Sequence, residues 1–172
     1  MQNRKQYMSL KTAPVVAFLL VGCQSTQSID PSSLEFEIPK GSLLTLNRTL
    51  EIPAGETHAL IQEGRLIKKR DKDDYRINCR FDVKKFGPRT IAPAKFIIRR
   101  TEDGQEWISR AGIMRYYTDI YFQSDEATDA IKLSCQQYGY NTQRNFTVTD
   151  IRNALGDYFT FSFAVLKSDI DG

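Results

Sequence analysis

A mainly β domain is what this sequence predicts, a single antiparallel β-sandwich or open barrel with one or two short helices. Three observations carry that expectation. Residues 75–84 alternate strictly, with Tyr75, Ile77, Cys79, Phe81 and Val83 on one side and Arg76, Asn78, Arg80, Asp82 and Lys84 on the other. This is the period of a strand with one buried face. Residues 113–122 are rich in Tyr, Ile and Phe, a strand composition. Near the end, Phe159, Phe161, Phe163 and Val165 alternate with Tyr158, Thr160, Ser162 and Ala164. Strands at short spacing, with little helical periodicity between them, point to a sandwich or barrel.

The remaining elements follow in chain order. Leu34, Phe36 and Ile38 alternate with Ser33, Glu35 and Glu37, and Leu44, Leu46, Arg48 and Leu50 repeat the pattern less cleanly. Both stretches are expected to be extended. Breaks fall at Ile52-Pro53-Ala54-Gly55, at Glu63-Gly64 and at Gly87-Pro88. Asp103-Gly104, between residues 95–101 and 106–110, is the dipeptide that favours a two-residue hairpin turn and would set Arg100 opposite Trp107. A short helix is expected over 125–133. A second follows Thr147 or Thr149 as N-cap, runs through Leu155 and stops at Gly156.

The N-terminus has a different character. Arg4, Lys5 and Lys11 precede an apolar run from Ala13 to Val21, and no acid lies among them. About nine apolar residues are too few to cross a bilayer core, which takes roughly 20. A charged start, a short apolar middle and a small residue at its end describe a removable export signal, residues 1–22. Leu20-Val21-Gly22-Cys23 resembles the lipobox of bacterial lipoproteins. That resemblance implies cleavage before Cys23, a diacylglycerol on its sulfur and acylation of the new amine. Gln24 in place of Asp implies sorting to the outer membrane. Residues 23–33, polar and containing Pro31, read as a flexible tether. Residues 34–172, about 140 in all, suit one periplasmic β domain.

Processing also changes the charge. The formal +3 of the whole chain equals the charge of Arg4, Lys5 and Lys11, so the part after residue 22 is neutral. The basic excess that would argue for nucleic acid disappears with the signal.

Two cysteines are left once Cys23 is lipidated. Cys79 lies on the inward side of its strand, and Cys135 follows Ile131 and Leu133 at the same parity if that segment is extended. In an oxidising compartment such a pair is expected to form a disulfide, within one sheet or between two facing sheets. Two thiols and the lone His58 do not make a zinc set, and no metal or cofactor is expected.

No nucleophile-and-base pattern stands out around His58. Asp71-Lys72-Asp73-Asp74 lacks the Gly and the distant Glu of a calcium loop. The aromatic concentration of the chain, Tyr116, Tyr117, Tyr121, Tyr138 and Tyr140, contains the candidate binding residues, since exposed tyrosines suit a glycan or peptide. In the mature part, Leu50-Glu51-Ile52-Pro53-Ala54-Gly55, Asn78-Cys79-Arg80-Phe81 and Ile91-Ala92-Pro93 with Phe96 are similar to small proteobacterial lipoproteins of unassigned function, and imply no activity. The expectation is therefore a non-catalytic protein anchored in membrane lipid through Cys23. Its role would be binding or structural, toward an envelope protein or peptidoglycan. The alternative is a periplasmic hydrolase of wall or lipid using carboxylates such as Asp71, Asp73 or Glu106.

Overall fold

A computed structural model describes residues 30–108, 112–140 and 146–164. The lipobox, Cys23 and most of the expected tether lie outside the described residues. Among those described there are ten strands and one α-helix: β1 (Leu43–Leu46), β2 (Leu50–Ile52), β3 (His58–Gln62), β4 (Arg65–Ile67), β5 (Asn78–Val83), β6 (Arg89–Ile91), β7 (Ala94–Trp107), β8 (Ile113–Gln123), β9 (Ala130–Tyr140), α1 (Val148–Leu155) and β10 (Phe159–Ser162). Eight strands form one sheet in the order β10-β1-β7-β8-β9-β5-β3-β4, with every neighbouring pair antiparallel. β2 and β6 make a second, two-stranded ribbon. The large sheet curls into a half-barrel, the open-barrel form of the expected fold.

The core fills the concave face. On β5, Cys79, Phe81 and Val83 are buried while Arg80 is exposed. On β8 the inward series is Met114, Tyr116, Thr118, Ile120 and Phe122. Phe96, Phe122 and Phe159 bring rings from β7, β8 and β10 within 5.7 Å of the Phe81 ring. The helix lies across the opening, in contact with β10 near one end of the sheet and with β3 and β5 toward the other. Val148, Ile151, Ala154 and Leu155 form its buried stripe.

Eight residues are few for a helix, and its cap matters accordingly. The Thr147 hydroxyl accepts from Asp150 N, and the Asp150 carboxylate accepts from Thr147 N, a reciprocal capping box. Gly156 ends it with φ +58. There its backbone meets the β3–β4 turn so closely that a Cβ on Gly156 would lie 2.6 Å from Gly64 Cα. Gly64 N donates to Ala154 O, tying the hairpin to the helix. Residues 30–33, the described end of the expected tether, sit at the other end of the helix, where Thr149 N donates to Pro31 O.

Four expectations are corrected. Asp103 and Gly104 form no turn: β7 runs through them, pairing Asp103 with Thr118 and Gly104 with Tyr117. Gly104 serves a close approach instead, since the Tyr117 ring lies over it and an added Cβ would come within 2.4 Å of that ring. Arg100 consequently faces Tyr121, and Trp107 faces Met114. The expected helix over 125–133 is a turn followed by β9. The Ser124 hydroxyl accepts from Glu126 N and Ala127 N, a local arrangement that competes with helix.

The long alternating strand begins only at Asn78, because the buried Gln62 and Asn78 amides take the carbonyls of Asp73 and Arg76 and hold residues 73–76 in a turn. Residues 34–38 are not a strand. They form turns and loop, although Ile38 is buried and Phe36 packs edge-on to Phe163.

The Gly104 contact gives a test. Gly104→Val, which would normally favour a strand, is expected to destabilise by about 1–2 kcal/mol by displacing Tyr117. In a Tyr117→Ala background the penalty should vanish in urea denaturation, and equal costs in both backgrounds would refute the contact.

Candidate functional site

The chain leaves β4, folds across the end of the sheet over residues 68–77 and re-enters at β5. Its path is held by side-chain amides. Besides the Gln62 and Asn78 bonds, Gln62 Oε1 accepts from Asp73 N at 3.1 Å, and Gln137 Nε2 donates to Tyr75 O at 2.9 Å. Tyr138 N donates to Asp74 O at 2.6 Å, satisfying the edge of β9 where β5 no longer covers it.

This excursion holds Tyr75 and Arg76 across from the helix. Between them opens a wide cleft of about 570 Å³, lined by Glu63, Tyr75, Arg76, Ile77, Gln137 and the helix residues Asp150, Asn153 and Ala154. Tyr75 is 53% exposed and meets the Tyr138 ring edge-on at 6.2 Å. The charges of the cleft are largely spoken for. Arg76 Nη1 pairs with Glu63, its Nε lies 3.6 Å from Asp73, and Asp150 is the N-cap acceptor. Exposed to a ligand are the Tyr75 ring, the apolar edge of Ile77 and the side chains of Gln137 and Asn153, beside an Arg76 guanidinium that is ion-paired but still 64% exposed. The lining is amphipathic and the cleft open.

The five candidate tyrosines do not converge. Tyr116 is on the inward series, buried, with its hydroxyl donating to Tyr140 O at 3.0 Å. Tyr117, Tyr121, Tyr138 and Tyr140 stand on the outer face. Arg115 stacks on Tyr117 with its guanidinium carbon 4.7 Å from the ring centroid, and Arg100 on Tyr121 at 3.8 Å. Lys132 Nζ also approaches Tyr121, at 5.3 Å, and pairs with Asp119. Only Tyr138 adjoins the cleft. Tyr75, Asn153 and Gln137 carry no sequence signal as site residues, because the cleft joins segments far apart in the chain.

The carboxylates of the hydrolase alternative are each beside an arginine: Asp71 by Arg70 at 3.4 Å, Asp73 by Arg76, and Glu106 by Arg115 at 2.7 Å. None of the three lines the cleft. His58 faces Asp82 across the β3–β5 pair, and burial pushes the imidazole pKa down and the Asp82 pKa up. Its Nδ1 lies 3.6 Å from Glu56. Among the described residues no group of three His, Cys, Asp or Glu is placed to hold a metal, and no helix is long and apolar enough to cross a membrane.

Cys79 and Cys135 are bonded as a disulfide. They face each other across β5 and β9, neighbours in the one sheet, with Cα atoms 4.0 Å apart. Both are fully buried. Ile131, expected to share the inward side with Cys135, is exposed, because the β5–β9 register shifts between Asp82 and Val83 and leaves it unpaired.

The chain matches no family model, no curated protein sequence and no solved structure.

Proposed function

We propose that this protein is a lipid-anchored, non-catalytic component of the bacterial envelope that uses the cleft beside α1 to bind wall material. The anchor reading rests on Leu20-Val21-Gly22-Cys23 and the export signal before it. The binding reading is carried by the cleft lining. An exposed aromatic ring beside amides and a guanidinium is the chemistry that holds sugars and short peptides, the two parts of peptidoglycan.

Each part has its own test. Cys23→Ser is expected to leave an uncleaved, unlipidated precursor, seen by mass. A variant that matured normally and stayed with membranes would end the anchor reading. For the cleft, purified mature protein is expected to sediment with peptidoglycan sacculi. Tyr75→Ala with Asn153→Ala, both at the surface, should weaken that binding about tenfold, as loss of about 1.4 kcal/mol would. Protein that stays in the supernatant overturns the binding reading. Soluble wall fragments released by the pure protein would mark it as a hydrolase instead.

A further inference from the structure

We infer that the outer face of the sheet holds a binding site for a phosphate-type oxyanion, beneath the turn that follows β4.

Sheet register sets the floor. His58 and Leu60 of β3, Asn78 and Arg80 of β5, and Ser134 and Gln136 of β9 share the face opposite the core. Their neighbours in the chain, Ile61, Phe81 and Cys135 among them, fill the concave side. Over this floor lies the 3₁₀ turn Lys69–Asp71, followed by Lys72. Turn and floor enclose a cavity of about 130 Å³. That volume holds about four waters, or one tetrahedral oxyanion. A second cavity of about 170 Å³ shares His58, Leu60 and Lys69 and adds Pro53, Ala54, Ile67 and the Glu56 carboxylate. Its apolar walls suit the organic part of a phosphate monoester.

The charges that line the smaller cavity have one sign. Lys69, Lys72 and Arg80 line it, and no carboxylate does. The nearby acids engage the cations from outside the lining. Asp74 pairs with Lys72 at 2.6 Å, and Asp82 takes Arg80 Nε at 2.8 Å and Nη2 at 3.2 Å. Asp119, opposite Ser134 on β8, pairs with Lys132. Lys72 and Arg80 keep N–H groups beyond those their acids accept. Lys69 has no ion-pair partner among the described residues, and it is exposed. The floor adds a donor shielded from bulk water. Ser134 is 3% exposed, and its hydroxyl has no hydrogen-bond partner among the described residues. A buried hydroxyl left so is unfavourable unless something in the cavity accepts from it. An oxyanion accepts from Ser134 and from the three cations together, in charge-assisted bonds.

His58, the only histidine in the chain, reports on the cavity it lines. Burial holds its pKa down, Glu56 and Asp82 act to raise it, and Arg80 and Lys69 to lower it. Lys132 stands beyond Asp82 on β9. Mature lipidated protein is held in zwitterionic detergent, and the His58 ring is followed by NMR while sodium phosphate or glycerol 3-phosphate replaces sodium chloride at constant ionic strength. The expected result is a saturable shift with a Kd of about 0.1–1 mM, the strength of a few charge-assisted hydrogen bonds. In the loaded protein the His58 pKa should stand about half a unit higher, because a bound anion favours the imidazolium, and binding should tighten as pH falls. Lys69→Gln should fold as the parent does and bind about tenfold more weakly. Ser134→Ala should also weaken binding. A shift given by phosphate or by the ester assigns a free oxyanion. One that appears only when phosphatidylglycerol is added to the micelles assigns a lipid headgroup, and either result supports the site. No shift, a shift that grows without saturating, or one that Lys69→Gln and Ser134→Ala leave unchanged overturns it, and the wall-binding reading is unaffected.

Discussion

Phe81→Ala is expected to destabilise the domain by about 3–5 kcal/mol, the range for removing a fully buried ring. Phe81 has no exposed surface and lies within the hydrophobic core of the half-barrel. Its ring lies 5.5 Å from Phe96, 5.7 Å from Phe122 and 5.7 Å from Phe159, so it touches three strands other than its own. The cavity left by truncation could not easily be refilled. Its cross-strand neighbour on β3 is Ala59, too small to swing in, and on β9 it is Leu133, itself fully buried. Urea denaturation followed by circular dichroism measures the cost. For a domain of about 140 residues, the melting temperature should drop by about 10–15 °C. Phe86→Ala is the control: Phe86 is 70% exposed and should change stability by less than about 0.5 kcal/mol. Similar losses at the two positions would mean that Phe81 is not the centre of the core.

How far the fold could be read in advance depended on how local the deciding contacts are. Phe159 and Phe161 stand out in the sequence because each β10 residue answers to one buried face, and both are buried as the alternation implies. Thr147 with Asp150 is also local, three residues apart, and of the two caps expected, Thr147 or Thr149, the structure uses Thr147. Gly104 misleads for the opposite reason. A glycine after an aspartate has the same appearance whether it supplies a turn or yields space to a ring from another strand. Only the pairing with Tyr117 decides. Tyr75 and Ile77 carry the strand pattern, yet Gln62, some 13 residues earlier, bends their segment through its side-chain amide. The same bend makes the cleft, so the feature that broke the strand expectation also left Tyr75 exposed beside α1. The candidate tyrosines of β8 were legible as strand residues, whereas those of β9 followed a segment expected to be helical. Which of them was free for binding was not, because that was set by Arg100, Arg115 and Lys132 folding over two of them.

Loss of the Cys79–Cys135 bridge should cost about 2–5 kcal/mol. The bridge closes a separation of 56 residues, for which the chain-entropy account gives about 4 kcal/mol. Its place in the topology explains why that constraint matters. β7, β8 and β9 succeed one another in sequence and in space, and β3, β4 and β5 pair among themselves. Within the sheet the two groups are hydrogen-bonded to each other along β5 and β9, strands distant in the chain, and the disulfide crosses that seam one residue in from the start of β5. Both sulfurs belong to the concave face beside Phe81 and Leu133, so the bond is sealed from solvent in the folded state. Reductant should therefore act slowly on native protein and quickly once the chain is unfolded in urea. Cys79→Ala with Cys135→Ala should melt about 10 °C below the oxidised parent and be indifferent to dithiothreitol. Oxidised parent, reduced while unfolded and refolded under reductant, should fall to the same value. If alkylation of unreduced mature protein modified both Cys79 and Cys135, the bridge would be absent in the cell. A double variant as stable as the parent would show that the hydrogen bonds and packing of the seam hold it without the bond.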